Sequence, residues 1–162
     1  MALALLSLGS NIEPESNLRA AAADLRAQFP AIVFSPVLRY AAVGFEGPDF
    51  LNAAAAVETA LGPDELHRLL HALEDRHGRR RDVPRYSSRT LDVDLVFLGD
   101  LIRTAPDSPR LPRPDLRHAF VLEPLAALVP EFVDPISGRT LAALWAAHPD
   151  NARPAPALPL VL

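Results

Sequence analysis

The chain has 162 residues, 49% of them apolar, with a formal charge of −4 and no cysteine. That length suits one compact domain with a substantial core, and the negative balance argues against a protein built mainly to bind nucleic acid. The missing cysteines exclude disulfides, thiolate metal sites and cysteine nucleophiles. The apolar start, MALALLSLGSN, lacks the basic n-region of a signal peptide, and no stretch reaches the roughly 20 apolar residues of a membrane span. A cytoplasmic protein without membrane contact is the expectation.

Ala2 to Leu8 is an apolar run that Gly9-Ser10-Asn11 ends, which predicts a buried strand entering a tight turn. Leu18, Ala21, Ala22, Leu25 and Phe29 then recur at helical spacing from about Glu15, and Pro30 closes that helix. Ala31 to Tyr40 is apolar but broken by Pro36, so an edge strand or a bulged strand is expected. Ala41 to Pro48 reads as a loop. Phe50 to Leu61 is alanine-rich, which favours helix, yet it stands between two Gly/Pro turns and is read as a strand. Pro63, Asp64 and Glu65 start a second helix, with the acids at its positive end. Leu66, Leu69, Leu70 and Leu73 form its buried stripe, and Gly78 stops it. A strand over Leu91 to Leu98 follows, then a Gly99-Asp100 turn and a short returning strand at Leu101-Ile102. Pro106, Pro109, Pro112 and Pro114 make the next segment irregular. Short helices are expected over Ala119 to Leu128 and Thr140 to His148. Residues 1–150 are read as one domain, and residues 151–162, without a periodic face, as a loosely held tail. The order β-α-β-β-α-β predicts an α+β, ferredoxin-like plan, a mostly antiparallel sheet with packed helices.

The stretch GRRRDVPRYSSRTLDVDLVFLG, residues 78–99, carries the chemistry. Asp92 and Asp94 stand two apart in a strand, so both carboxylates point to one side. Paired carboxylates suit a hard divalent cation such as Mg²⁺, which completes its octahedron with waters and phosphate oxygens. Arg79, Arg81 and Arg89 lie close enough in sequence to clamp those phosphates. A solvated arginine loop before an ordinary strand is the plainer alternative. No P-loop, HExxH or nucleophilic triad occurs. On these residues alone the reading reaches Mg²⁺-dependent chemistry at a phosphate and leaves phosphoryl transfer, pyrophosphoryl transfer and hydrolysis open.

Gly9-Ser10-Asn11, Pro48-Asp49-Phe50-Leu51-Asn52-Ala53, Glu74 through Gly78-Arg79, Arg89-Thr90-Leu91-Asp92-Val93-Asp94 and Ala119-Phe120-Val121-Leu122 stand in one order along the chain. Together they resemble the successive motifs of 6-hydroxymethyl-7,8-dihydropterin pyrophosphokinases, over roughly Leu3 to Trp145. The resemblance implies a ferredoxin-like fold and a reaction of folate biosynthesis, in which the β,γ-pyrophosphoryl group of ATP passes to the pterin hydroxymethyl and AMP leaves. By similarity Asp92 and Asp94 hold two Mg²⁺ ions, and Arg79 and Arg89 neutralise the moving group. Phe50 and Phe120 sandwich the reduced pterin, Asn52 bonds its amide-like edge, and Val43 borders it. His71, Glu74, Arg81, Leu95, Arg113 and His118 are the expected ATP-side contacts. Arg113 stands where the family usually has histidine, and His118 or Arg117 replaces a usual arginine. A monomer acting on small molecules is implied, with a paralogue of altered specificity or without catalysis as the alternative.

Overall fold

The computed structural model describes residues 1–78, 82, 84 and 88–162. In chain order the elements are β1 (Ala2–Ser10), α1 (Pro14–Gln28), β2 (Val33–Phe34), β3 (Leu38–Tyr40), β4 (Phe50–Thr59), α2 (Pro63–Arg76), β5 (Asp92–Leu98), α3 (Ala119–Leu128) and α4 (Leu141–Ala146). Single 3-10 turns occupy Pro114–Arg117 and Pro149–Ala152. β1 is the central strand, antiparallel to β4 on one side and β5 on the other, while β2 and β3 both pair antiparallel with β4. With β2 and β3 taken as one interrupted strand, this is the spatial order of a ferredoxin-like sheet.

Strand alternation sorts the residues onto two faces. Ala4, Leu6 and Leu8 of β1, Leu51, Ala53, Ala55 and Val57 of β4, and Val93 and Leu95 of β5 join the apolar stripes of α1 and α2 in one core. Leu5, Ala54, Ala56, Val96 and Phe97 face the other way and pack under α3 and α4. The alanines of β4 explain themselves here. Ala54 and Ala56 leave no bulk on the face that α3 covers, so the helix backbone can lie close to the sheet. The strand reading of this alanine-rich run therefore holds against helix propensity, because tertiary packing decides it. A register shift opposite Leu5 and Leu6 lets Val96 and Phe97 both reach the second face.

Pro36 breaks the edge as expected, but into two strands rather than one. Ser35 repairs the gap: its backbone N–H donates to Ala54 O at 2.9 Å and its hydroxyl accepts from Ala54 N at 2.8 Å. Leu101 and Ile102 form no strand. The chain turns back instead through a single bridge between Arg103 and Leu111.

The expectation of a loosely held tail is corrected. Ala157 bridges Leu38, Arg39 N donates to Pro156 O at 3.1 Å, and Leu158 N donates to Val37 O at 2.9 Å, so the last segment extends the sheet edge beyond β3. Leu160 and Leu162 are buried in the α1 core, and Arg26, which lies over the Phe34 ring, donates to Leu162 O. Replacing Leu160 by Ala should cost about 2–5 kcal/mol of stability, the range of a buried leucine truncation. Denaturant unfolding checks this; a loss below about 0.5 kcal/mol, usual for surface positions, would show a tail that contributes nothing.

Candidate active site

The polar residues of the long strands gather at one end of the face under α3. Ser7 and Gly9 of β1, Asn52 of β4, and Asp92 and Asp94 of β5 all line one cavity of about 170 Å³. They occupy the same side as Leu5, Ala54 and Phe97, so one alternation that buries an apolar core further along opens a polar floor here. Tyr40, Phe45, Phe50, His118 and Phe120 form an aromatic wall with Val43 beside it, and Arg89, Arg113 and Asp115 close the charged side. Phe45 stands edge-on to Phe50 with centroids 6.3 Å apart, and His118 stacks on Phe120 at 4.9 Å.

Gly9 and Asn52 face each other in register. A Cβ on Gly9 would lie 2.7 Å from Asn52 Nδ2, so only glycine lets the amide sit over β1. Asn52 is buried; its Nδ2 donates to Leu8 O at 3.4 Å, while its Oδ1 has no hydrogen-bond partner among the described residues. A buried acceptor left open beside a cavity is a place for a ligand donor.

The turn after β1 builds the opposite wall. The buried Asn11 side chain accepts from Arg89 N at 2.7 Å and donates to Pro48 O at 3.1 Å and to Ser88 Oγ at 3.2 Å; its backbone N–H donates to Arg89 O at 3.0 Å. One amide thus joins the loop before β4 to the loop before β5. Arg89 is itself buried, its guanidinium donating to Pro84 O at 3.3 Å.

The carboxylates crowd. Oxygens of Glu74, Asp92 and Asp94 all lie within 4.8 Å of one another. Glu74, buried at the end of α2, is held there because Val93 N on the outer edge of β5 donates to its Oε2 at 2.9 Å. Burial, followed by the Asp92 charge, pushes the Asp94 carboxyl up to about 8; Glu74 and Asp115 add to the rise and Arg113 opposes it. Arg113 lies 3.5 Å from Asp94 and 3.4 Å from Asp115, and these two carboxylates hold its guanidinium above its usual value despite burial. Three hard oxygen donors with one neighbouring guanidinium fit a divalent cation.

A family model described as 7,8-dihydro-6-hydroxymethylpterin-pyrophosphokinase (HPPK) matches residues 5–130. Curated relatives named 2-amino-4-hydroxy-6-hydroxymethyldihydropteridine pyrophosphokinase include one from Synechocystis, 37% identical over 85% of this chain and 72% of its own length. Another, from Pseudomonas aeruginosa, is 38% identical over 89% of this chain and 90% of its own. The chain belongs to the HPPK family. It is a pyrophosphoryl-transferring enzyme of folate biosynthesis. Among solved structures, Plasmodium falciparum HPPK-DHPS superposes with a TM-score of 0.64 at 12% identity, over 90% of this chain and 43% of that longer one, which speaks to the fold.

Of the residues the sequence nominates in this HPPK, the cavity gathers Val43, Phe50, Asn52, Arg89, Asp92, Asp94, Arg113, His118 and Phe120. Glu74 joins through the carboxylate cluster. His71 and Leu95 are not brought in: His71 packs beside His67 on α2, centroids 4.3 Å apart, and the Leu95 side chain is in the core under the helices. Alternation requires the latter, since Leu95 follows an aspartate that faces the cavity. Arg79 and Arg81 lie outside the described residues. Sequence reading missed Ser7, Tyr40, Phe45 and Asp115. Ser7 stands two residues before Gly9 on the same strand face, a period-2 signal that was available; nothing local marks Asp115.

A carboxyl raised in the folded state favours its protonated folded form. The metal-free protein therefore keeps the stability linked to Asp94 below about pH 4 and loses it as pH rises toward 8. Asp94→Asn should raise the metal-free melting temperature at pH 8, leave it nearly unchanged at pH 4, and remove any further rise on adding Mg²⁺ at pH 8. Thermal scans at the two pH values check all three; a variant less stable than wild type at pH 8 would contradict the crowding.

Proposed function

We propose that the cavity binds 6-hydroxymethyl-7,8-dihydropterin against Phe50 and Phe120 while Asp92 and Asp94, with Glu74 behind them, hold the Mg²⁺ of ATP at its mouth. The single observation that carries this reading is that one cavity contains both halves: a flat-ring wall with an open amide acceptor, and a carboxylate pair with Arg89 and Arg113 beside it. Offset or edge contacts with the two phenylalanines supply affinity for a planar ring. The Asn52 Oδ1 accepts from the donor edge of the pterin, and the restraint of Gly9 keeps that amide in place.

In the transfer itself, the hydroxymethyl oxygen bonds to the β-phosphorus of ATP and releases its proton, the bond from that phosphorus to the α,β-bridging oxygen breaks, and AMP leaves with that oxygen. Two Mg²⁺ ions, when bound, neutralise the phosphate oxygens and polarise the phosphorus under attack. The chain's own residues position the reactants and oppose developing charge. Asp92 and Asp94 orient from below. Arg89, its backbone N–H held by Asn11 and its guanidinium donating to Pro84 O, presents a fixed fork to the phosphates, and the family resemblance assigns Arg79 and Arg81 to the same phosphate contacts. Arg113 and His118 border the nucleotide. The reading takes the chain, its C-terminal segment included, as one catalytic domain acting as a cytoplasmic monomer; among the described residues no helix is long and apolar enough to cross a membrane.

With ATP, Mg²⁺ and the dihydropterin, AMP and the pterin diphosphate should form one to one, and chelation should stop the reaction. Asp92→Ala should lower turnover on the order of a thousandfold or more, the several kcal/mol of metal-borne charge stabilisation converted to rate, with the circular dichroism spectrum unchanged. Inorganic phosphate released without pterin, in place of AMP, would overturn the reading.

A further inference from the structure

Tyr40 and Glu123 are polar residues that neither the carboxylate cluster nor the ring-binding phenylalanines account for. Tyr40 ends β3, and its ring lines the cavity. Its hydroxyl donates to Glu123 Oε1 at 2.5 Å, and Glu123 does not line that space. Glu123 is buried in α3, where an unpaired carboxylate would be costly. It receives a second donor: Ala155 N, on the C-terminal segment, lies 3.2 Å and 3.3 Å from its two oxygens. One carboxylate therefore ties three pieces of chain far apart in sequence. The tyrosine ring in turn stands edge-on to Phe120 at 6.4 Å and 68°, and Phe120 stacks on His118 at 4.9 Å and 13°. Burial and the Glu123 contact raise the Tyr40 hydroxyl above its ordinary range, so it remains a donor across the whole working pH range.

We propose that Tyr40 and Glu123 are a positioning pair that sets the pterin-facing wall, Glu123 orienting the Tyr40 ring and the Tyr40 ring fixing Phe120 against the substrate. This rests on the reading of the cavity as the pterin site. Ring to ring, the wall is held by edge and stacking contacts, each worth about 0.5–1.5 kcal/mol, and a ring free to turn must be ordered again each time a ligand enters. The charge-assisted bond removes that freedom beforehand. It also makes the tail a structural partner of the site, since the Ala155 N–H keeps the carboxylate in place when no substrate is present.

The test is pterin affinity, read by the change in pterin fluorescence on binding, beside ATP affinity and melting temperature, for wild type, Tyr40→Phe, Glu123→Gln and Glu123→Ala. Tyr40→Phe keeps the ring and loses only the hydroxyl; it should weaken pterin binding about tenfold or more, the worth of one hydrogen bond to a charged group, with ATP affinity unchanged. Glu123→Gln retains an acceptor for both donors and should stay within about twofold of wild type, whereas Glu123→Ala should fall at least as far as Tyr40→Phe. Equal pterin affinity in wild type and Tyr40→Phe would overturn the proposal, whatever the melting temperatures. An equal loss for ATP and pterin would also overturn it, because loosening of the whole fold would then be the cause. A wild-type protein that fails to bind the dihydropterin would instead overturn the reading of the cavity.

Discussion

Three carboxylates held within 4.8 Å of one another are the constraint on which this site depends. At an effective dielectric constant of about 20, two unit charges at that distance repel by about 3 kcal/mol, and Arg113 offsets only part of the sum. The fold does not relax this crowding. Strand alternation places Asp92 and Asp94 on one face, and a backbone hydrogen bond from Val93 brings Glu74 around the strand edge to meet them. Such an arrangement is stable as a charged cluster only with added positive charge, which a divalent cation carrying a polyphosphate provides. On the proposed function, binding of MgATP and relief of a built-in repulsion are one event.

The second constraint is the joining of loops by a buried amide. Asn11 holds the backbone on either side of Arg89 and also the Pro48 carbonyl, so the strand that carries Phe50 and Asn52 and the strand that carries the aspartates share one anchor. The Gly-Ser-Asn turn is thus a clamp and not a phosphate cradle. It converts the order of a three-stranded core into a fixed relation between ring wall and carboxylate side, which transfer between two bound substrates requires.

The fold and the centre of the site were readable from the chain because their signals are local. Asp92 and Asp94 two apart, Phe50 and Asn52 two apart, and the leucine stripe of α2 each reflect a single period. What escaped depends on contacts between distant segments. Asp115 enters the cavity because the chain after β5 folds back, its Arg113 N–H bonding to Val96 O at 2.9 Å. Tyr40 matters through a helix more than 80 residues away. The expectation of a loose tail rests on the lack of a periodic face, yet Leu158, Leu160 and Leu162 alternate at strand period with Val161 exposed, a signal that the proline among them obscures. The tail's partner is the β3 edge, which lies more than 100 residues away in sequence. The family resemblance carried His71 and Leu95 as nucleotide contacts, but on this chain one side chain lies beside His67 and the other faces the core.

On the proposed function, the convergent carboxylates of Asp92 and Asp94, with Glu74, form the metal-nucleotide centre. The most direct measurement is anomalous diffraction from crystals grown with Mn²⁺ and a non-hydrolysable ATP analogue. The account predicts anomalous peaks within about 2.3 Å of Asp92 and Asp94 oxygens, a carboxylate coordination distance, with the analogue's phosphates bridging them toward Arg89. Nucleotide bound with no metal peak at these aspartates would contradict it.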